Sequence, residues 1–200
     1  MEYKMRIIGI TGGVGAGKSA ILDYLREKHH AVVIEADKVG HLLMEPGSVC
    51  YDSIMEKFGN SILNDDQTIH RGKLGEIVFA DASLLNELNK IIHPKVKEHI
   101  VSEVAKERAY HRAELFVIEA ALLLEDHYDA ICDEIWYIHT DADIRAKRLK
   151  ASRGYGDEKI AGIMANQRSP EEFRKACQAV IDNSGSLEHT YEQIDRQLGK

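Results

Sequence analysis

Ile10-Thr11-Gly12-Gly13-Val14-Gly15-Ala16-Gly17-Lys18-Ser19 is the stretch that decides how this 200-residue chain is read. Gly12 to Ser19 fits GxxxxGK[ST], a pattern with a physical rationale. Glycines let a loop wrap closely enough for successive backbone N–H groups to converge on a phosphate, and the helix that follows adds the positive end of its dipole. In such a loop Lys18 reaches the β- and γ-phosphates, and the Ser19 hydroxyl ligates Mg2+. The pattern carries weight only between a strand and a helix. Here residues 5–10 read as a short buried strand, and 18–29 as a helix with Ile21, Leu22 and Leu25 on one face.

Working outward, Ala31 to Ala36 (AVVIEA) reads as a second strand that ends at Asp37. Strand patterns resume at Leu115 to Glu119 (LFVIE), Ile135 to Ile138 (IWYI) and Val180 to Asp182. Strand, Gly-rich loop, helix, strand is the opening of a parallel sheet. The expected fold is therefore α/β, a three-layer α/β/α arrangement of four or five parallel strands with helices on both faces. One domain is expected over 1–200, its core at about 1–45, 113–141 and 176–200. Helices of about 46–112 interrupt that core between strands two and three. Ser83 reads as the N-cap of a helix carrying Leu84, Leu88, Ile91 and Ile92. Pro94 is expected to stop that helix, to bias His93 toward an extended conformation, and to begin the next one. A basic helix is expected from about Ala142 to Ser152 and another around 157–167. Ser186 caps a last helix with Leu187, Tyr191, Ile194 and Leu198 in register.

Composition narrows the function classes. The chain is 44% hydrophobic and 30% charged, with net charge -7, which argues against a general nucleic-acid or acidic-membrane binder. Cys50, Cys132 and Cys177 are odd in number and far apart, so neither a disulfide framework nor a zinc site is expected. The first residues hold too short an apolar run for a signal-peptide core, and no run approaches membrane-spanning length. A cytoplasmic protein is the expectation.

A phosphate loop implies a nucleotide but not its acceptor. The guanine-reading NKxD is missing, since Asn89-Lys90-Ile91-Ile92 fails at its last position. A small chain with a helical insertion and a later basic helix reads as a nucleotide or small-molecule kinase. Asp37, just beyond strand two, suits a base that takes a hydroxyl proton, and equally a helix N-cap. Glu119 could support the water shell of Mg2+ or simply end a strand. Arg145, Lys147, Arg148, Lys150 and Arg153 form either a solvated basic face or a mobile lid.

The order of the motifs is more specific than any one of them. ITGGVGAGKS is followed by Glu35-Ala36-Asp37, Arg71 with Leu74 and Ile77-Val78-Phe79, and Ile92-His93-Pro94. Then come Ala121-Leu122-Leu123-Leu124-Glu125, Arg148, Gln167 and Val180-Ile181-Asp182-Asn183-Ser184-Gly185. From near its first residue to about Gly185 the chain resembles the dephospho-coenzyme A kinase family. The resemblance implies ATP-dependent phosphorylation of the ribose 3′-hydroxyl of dephospho-coenzyme A, the last step of coenzyme A synthesis. It also implies Mg2+, a small-molecule acceptor, an acceptor-binding insertion at about 46–112 and a lid at about 142–168. Lys18, Asp37 and Arg148 are then catalytic. Gly12, Gly13, Val14, Gly15, Ala16, Gly17, Lys18, Ser19 and Ala20 hold the nucleotide, with Asn183 near the adenine. Asp37, His41, Arg71, His93 and Leu122 form the acceptor site, and Ser19, with Glu119 through water, attends the Mg2+. The chain departs from the family pattern at Ala121, where Pro is usual, at Ser152, where a second lid arginine is usual, and at Cys177-Gln178. Two rival readings are a kinase of another small nucleoside or nucleotide acceptor, and a non-enzymatic nucleotide-dependent switch.

Overall fold

Strand β1 (Arg6–Thr11) lies between two parallel neighbours, β3 (Leu115–Glu119) and β4 (Glu134–His139). A strand buried on both faces reads as an unbroken apolar run, and Leu115 to Glu119 is buried at every residue. The computed structural model describes residues 5–199. Its sheet has five parallel strands in the order β2-β3-β1-β4-β5, with β2 at Val32–Glu35 and β5 at Ala179–Asp182. From β1 the chain runs to one side of the sheet for β2 and β3, then crosses β1 to β4 and β5. The carboxyl end of β1 is thus at the reversal of strand order, where open α/β sheets bind ligands.

Period-two alternation sends one set of side chains to each face. Ile8, Ile10, Val117, Trp136, Ile138 and Ile181 share a core with Ile21, Leu22 and Leu25 of α1 (Lys18–His29) and Ile194 of α9 (Leu187–Leu198). On the opposite face Tyr137 stacks on Phe173 of α8 (Pro170–Ala176), ring centroids 4.6 Å apart. Helices therefore cover both faces, as expected. Ser186 caps α9 by accepting from the His189 N–H.

The chain divides into two compact units, Met1–Val33 with Tyr110–Lys200, and Ile34–Ala109. The second unit contains α2 (Ala36–Leu43), α3 (Tyr51–Phe58), α4 (Arg71–Ala80) and α5 (Ala82–Tyr110). Its sequence expectations need two corrections. Pro94 does not stop a helix, because α5 runs through His93 and Pro94 without a break. Proline removes the donor that would reach the carbonyl of Lys90 and crowds the preceding turn. One residue on, the Cys50 thiol approaches Ile91 O at 3.7 Å, a contact no local rule anticipates. The cap is also displaced: Asp81 Oδ1, not Ser83, accepts the N–H groups of Ser83 and Leu84.

Candidate active site

The phosphate loop closes on itself at its head. Lys18 Nζ donates to Gly12 O at 2.8 Å and lies 3.4 Å from Glu119 Oε1. Glu119 ends β3 and is 9% exposed, so its charge is held by the lysine rather than by bulk water. Gly17 has φ of 80°, a left-handed conformation that hands the loop to α1. A Cβ there would fall 2.6 Å from Asn183 Nδ2. Ser19, in the first turn of α1, is exposed.

Ala16 O is where three elements meet. It accepts from Asn183 Nδ2 at 2.7 Å, from Thr140 Oγ1 at 3.0 Å and from Arg148 Nη1 at 3.2 Å. Asn183 is 1% exposed, and its Oδ1 accepts from Thr190 Oγ1 at 3.1 Å. Its amide is thus bonded inside the protein through both its nitrogen and its oxygen. Burial of a polar amide demands such pairing. Arg148 also donates to Asn183 O at 3.0 Å. Both of its partners are main-chain carbonyls, one in the trailing half of the loop and one just after β5.

Arg145, which the family pattern passes over, lies on the leading half. It precedes Arg148 by three residues on α6 (Ala142–Arg153), a spacing that puts both on one helix face. Its Nε donates to Val14 O at 2.9 Å and its Nη2 to Gln167 Oε1. Leu149, 2% exposed, packs on Gly15 from the same face. The sequence signal was the basic helix itself. Nothing local says which of its cations touch the loop.

The second unit groups another set. Arg71 Nη1 donates to His41 Nδ1 at 2.9 Å. Guanidinium has no acceptor, so Nδ1 must present its lone pair. Burial first, and then the Arg71 charge, hold the His41 imidazole below its ordinary 6.5 against the opposite pull of Asp37 and Glu45. His41, Met44, Glu45, Ile69 and Arg71 line a cavity of about 220 Å³. Asp37 is exposed in the first turn of α2; the N-cap is Glu35, with no side-chain cap bond, so Asp37 does not cap. His93 lies in α5, which packs on α2: a Cβ on Gly40 would meet Ile92 Cγ2 at 3.6 Å. Leu122 belongs to the first unit, in the turns after β3, and is 42% exposed.

The family model for dephospho-CoA kinase matches residues 6–189. The chain belongs to the dephospho-CoA kinase family. A dephospho-CoA kinase from Carboxydothermus hydrogenoformans is 40% identical over 189 residues, 94% of this chain and 90% of that protein. A solved structure from Thermus thermophilus has a TM-score of 0.82 at 26% identity, covering 98% of this chain and 97% of that one. The dephospho-CoA kinase from Campylobacter jejuni is alike in fold, with a TM-score of 0.71 at 22% identity over 96% of this chain and 95% of its own. The chain is accordingly an ATP-using kinase.

Among the described residues no helix is long and apolar enough to cross a membrane. Nor do those residues hold a cluster of three or more His, Cys, Asp or Glu able to bind a metal.

Proposed function

We propose the following division of labour for the ATP-dependent phosphorylation of dephospho-CoA, the reaction of this family in coenzyme A biosynthesis. The phosphate loop and Lys18 hold the β- and γ-phosphates, and Lys18 follows the charge that develops on the transferred group. Asp37 accepts the proton of the ribose 3′-hydroxyl and aims that oxygen at the γ-phosphorus. Arg71, with His41 keeping its guanidinium in place, receives the acceptor's pyrophosphate; bidentate pairing with phosphate oxygens is what a guanidinium does best. His93 and Leu122 complete the acceptor site. Arg148 adds positive charge on the lid side. When Mg2+ is bound it neutralises phosphate charge; the exposed Ser19 hydroxyl would hold it, with Glu119 acting through water. The reaction takes place in the cytoplasm, in keeping with three free cysteines.

The match of an intact phosphate-loop chain to the family over residues 6–189 is the observation that carries this reading. Asp37 is supported by covalent connection. It stands two residues after β2, a strand of the same sheet whose β1 ends in the loop. Product analysis tests the position of transfer. Dephospho-CoA carries a 2′,3′-cis-diol that periodate cleaves, and phosphorylation at the 3′-oxygen makes the product resistant. A product that stays periodate-sensitive would refute transfer to the ribose.

A further inference from the structure

Arg145 is half-buried, and burial pulls its guanidinium below the usual arginine range. Its hydrogen-bond partners, Val14 O and Gln167 Oε1, are both uncharged, and among the described residues no carboxylate pairs with it. Lys18 differs, having Glu119 at 3.4 Å. A partly desolvated cation paired only with neutral oxygens is an unfavourable arrangement until an anion arrives.

The location of that cation is specific. A Cβ on Gly13 would lie 2.5 Å from Arg145 Cζ, so the guanidinium rests directly on the loop. A Cβ on Gly15 would meet the same residue nearer its root, 3.1 Å from Arg145 O and 3.4 Å from Arg145 Cβ. Arg148 holds Ala16 at the other end. Two arginines on one face of α6 therefore straddle a loop whose purpose is to hold a polyphosphate.

We propose that Arg145 is an ATP-binding residue whose guanidinium exchanges the Val14 carbonyl for an oxygen of the nucleotide's phosphate chain. Its second bond, to Gln167, stays in place. Gln167 lies between α7 (Asp157–Ala165) and α8, so nucleotide binding draws that connection to the phosphates. A guanidinium bond to an anionic phosphate oxygen outweighs the bond to a neutral carbonyl that it replaces, which drives the exchange. The proposal rests on the use of the loop for ATP, and goes beyond it by naming the cation the nucleotide recruits.

The test is calorimetric titration of wild type, Arg145→Gln and Arg145→Lys with Mg-ATP and with adenosine, alongside thermal unfolding without ligand. Glutamine puts an amide N–H about where Arg145 Nε stands, so it can still donate to Val14 O, but it falls short of Gln167 and brings no charge. The expected result is ATP affinity lowered on the order of tenfold in Arg145→Gln, the worth of one charge-assisted bond. Adenosine affinity and melting temperature stay as in wild type, and Arg145→Lys recovers part of the loss. Unchanged ATP affinity in Arg145→Gln overturns the proposal. So does an equal loss for ATP and adenosine with a lower melting temperature, which would make Arg145 a support for the loop. Wild type that fails to bind ATP would sink the use of the loop itself, and the proposal with it.

Discussion

Replacing Asn183 by alanine separates two roles for that amide. Asn183→Ala removes two buried hydrogen bonds, to Ala16 O at 2.7 Å and from Thr190 Oγ1 at 3.1 Å. Neither partner is left orphaned. Ala16 O keeps Thr140 and Arg148, and the Thr190 hydroxyl keeps Asp182 O and Ser186 O, each at 3.2 Å. The cost is therefore the net worth of two bonds plus some lost packing, about 2–3 kcal/mol, without an added penalty for an unpaired buried group. For a chain of this length that is a drop of roughly 5–10 °C in melting temperature. Asn183→Asp should cost more, because a buried carboxylate would face Ala16 O with no proton to give. Scanning calorimetry without ligand measures both. A melting temperature within about 1 °C of wild type, together with an ATP affinity at least tenfold weaker, would refute the bracing role and favour contact with the nucleotide.

Gly17→Ala forces a side chain into a left-handed position and sets a Cβ 2.6 Å from Asn183 Nδ2, so ATP binding and melting temperature should both fall. In the Gly17→Ala/Asn183→Ala double variant the clash is gone, and the combined loss of stability should be smaller than the sum of the single losses. His41 is held below its ordinary value in the folded protein, so its neutral form contributes stability that is present above pH 6.5 and lost as pH falls through the folded value. Urea titrations between pH 7.5 and 5 should show a steeper acid decline for wild type than for His41→Gln. Parallel declines would mean that the Arg71–His41 bond has no share in it.

The frame of the fold was legible because it is local. The run at Leu115–Glu119 coincides with β3, and the helix at 18–29 with α1, since apolar periodicity and the glycine loop are properties of adjacent residues. What sequence reading missed was set by contacts between distant residues. The contact of the Cys50 thiol with Ile91 O in α5 spans 41 residues, and the bond from Asn183 to Ala16 spans 167. One omission had a signal in plain view: Ser169-Pro170-Glu171-Glu172 spells the capping box that starts α8. The choice between Arg145 and Arg148 had none, because residues three apart on a helix look alike until the loop is packed against them.

The most direct test of the central claim is ADP release from Mg-ATP with dephospho-CoA, nucleosides, nucleoside monophosphates or no acceptor, for wild type and Asp37→Asn. The account predicts release that requires dephospho-CoA, and a kcat lowered by about 100-fold or more in Asp37→Asn with ATP affinity unchanged. Equal release with and without dephospho-CoA would contradict the assigned acceptor, and an undiminished kcat in Asp37→Asn would remove Asp37 as the base.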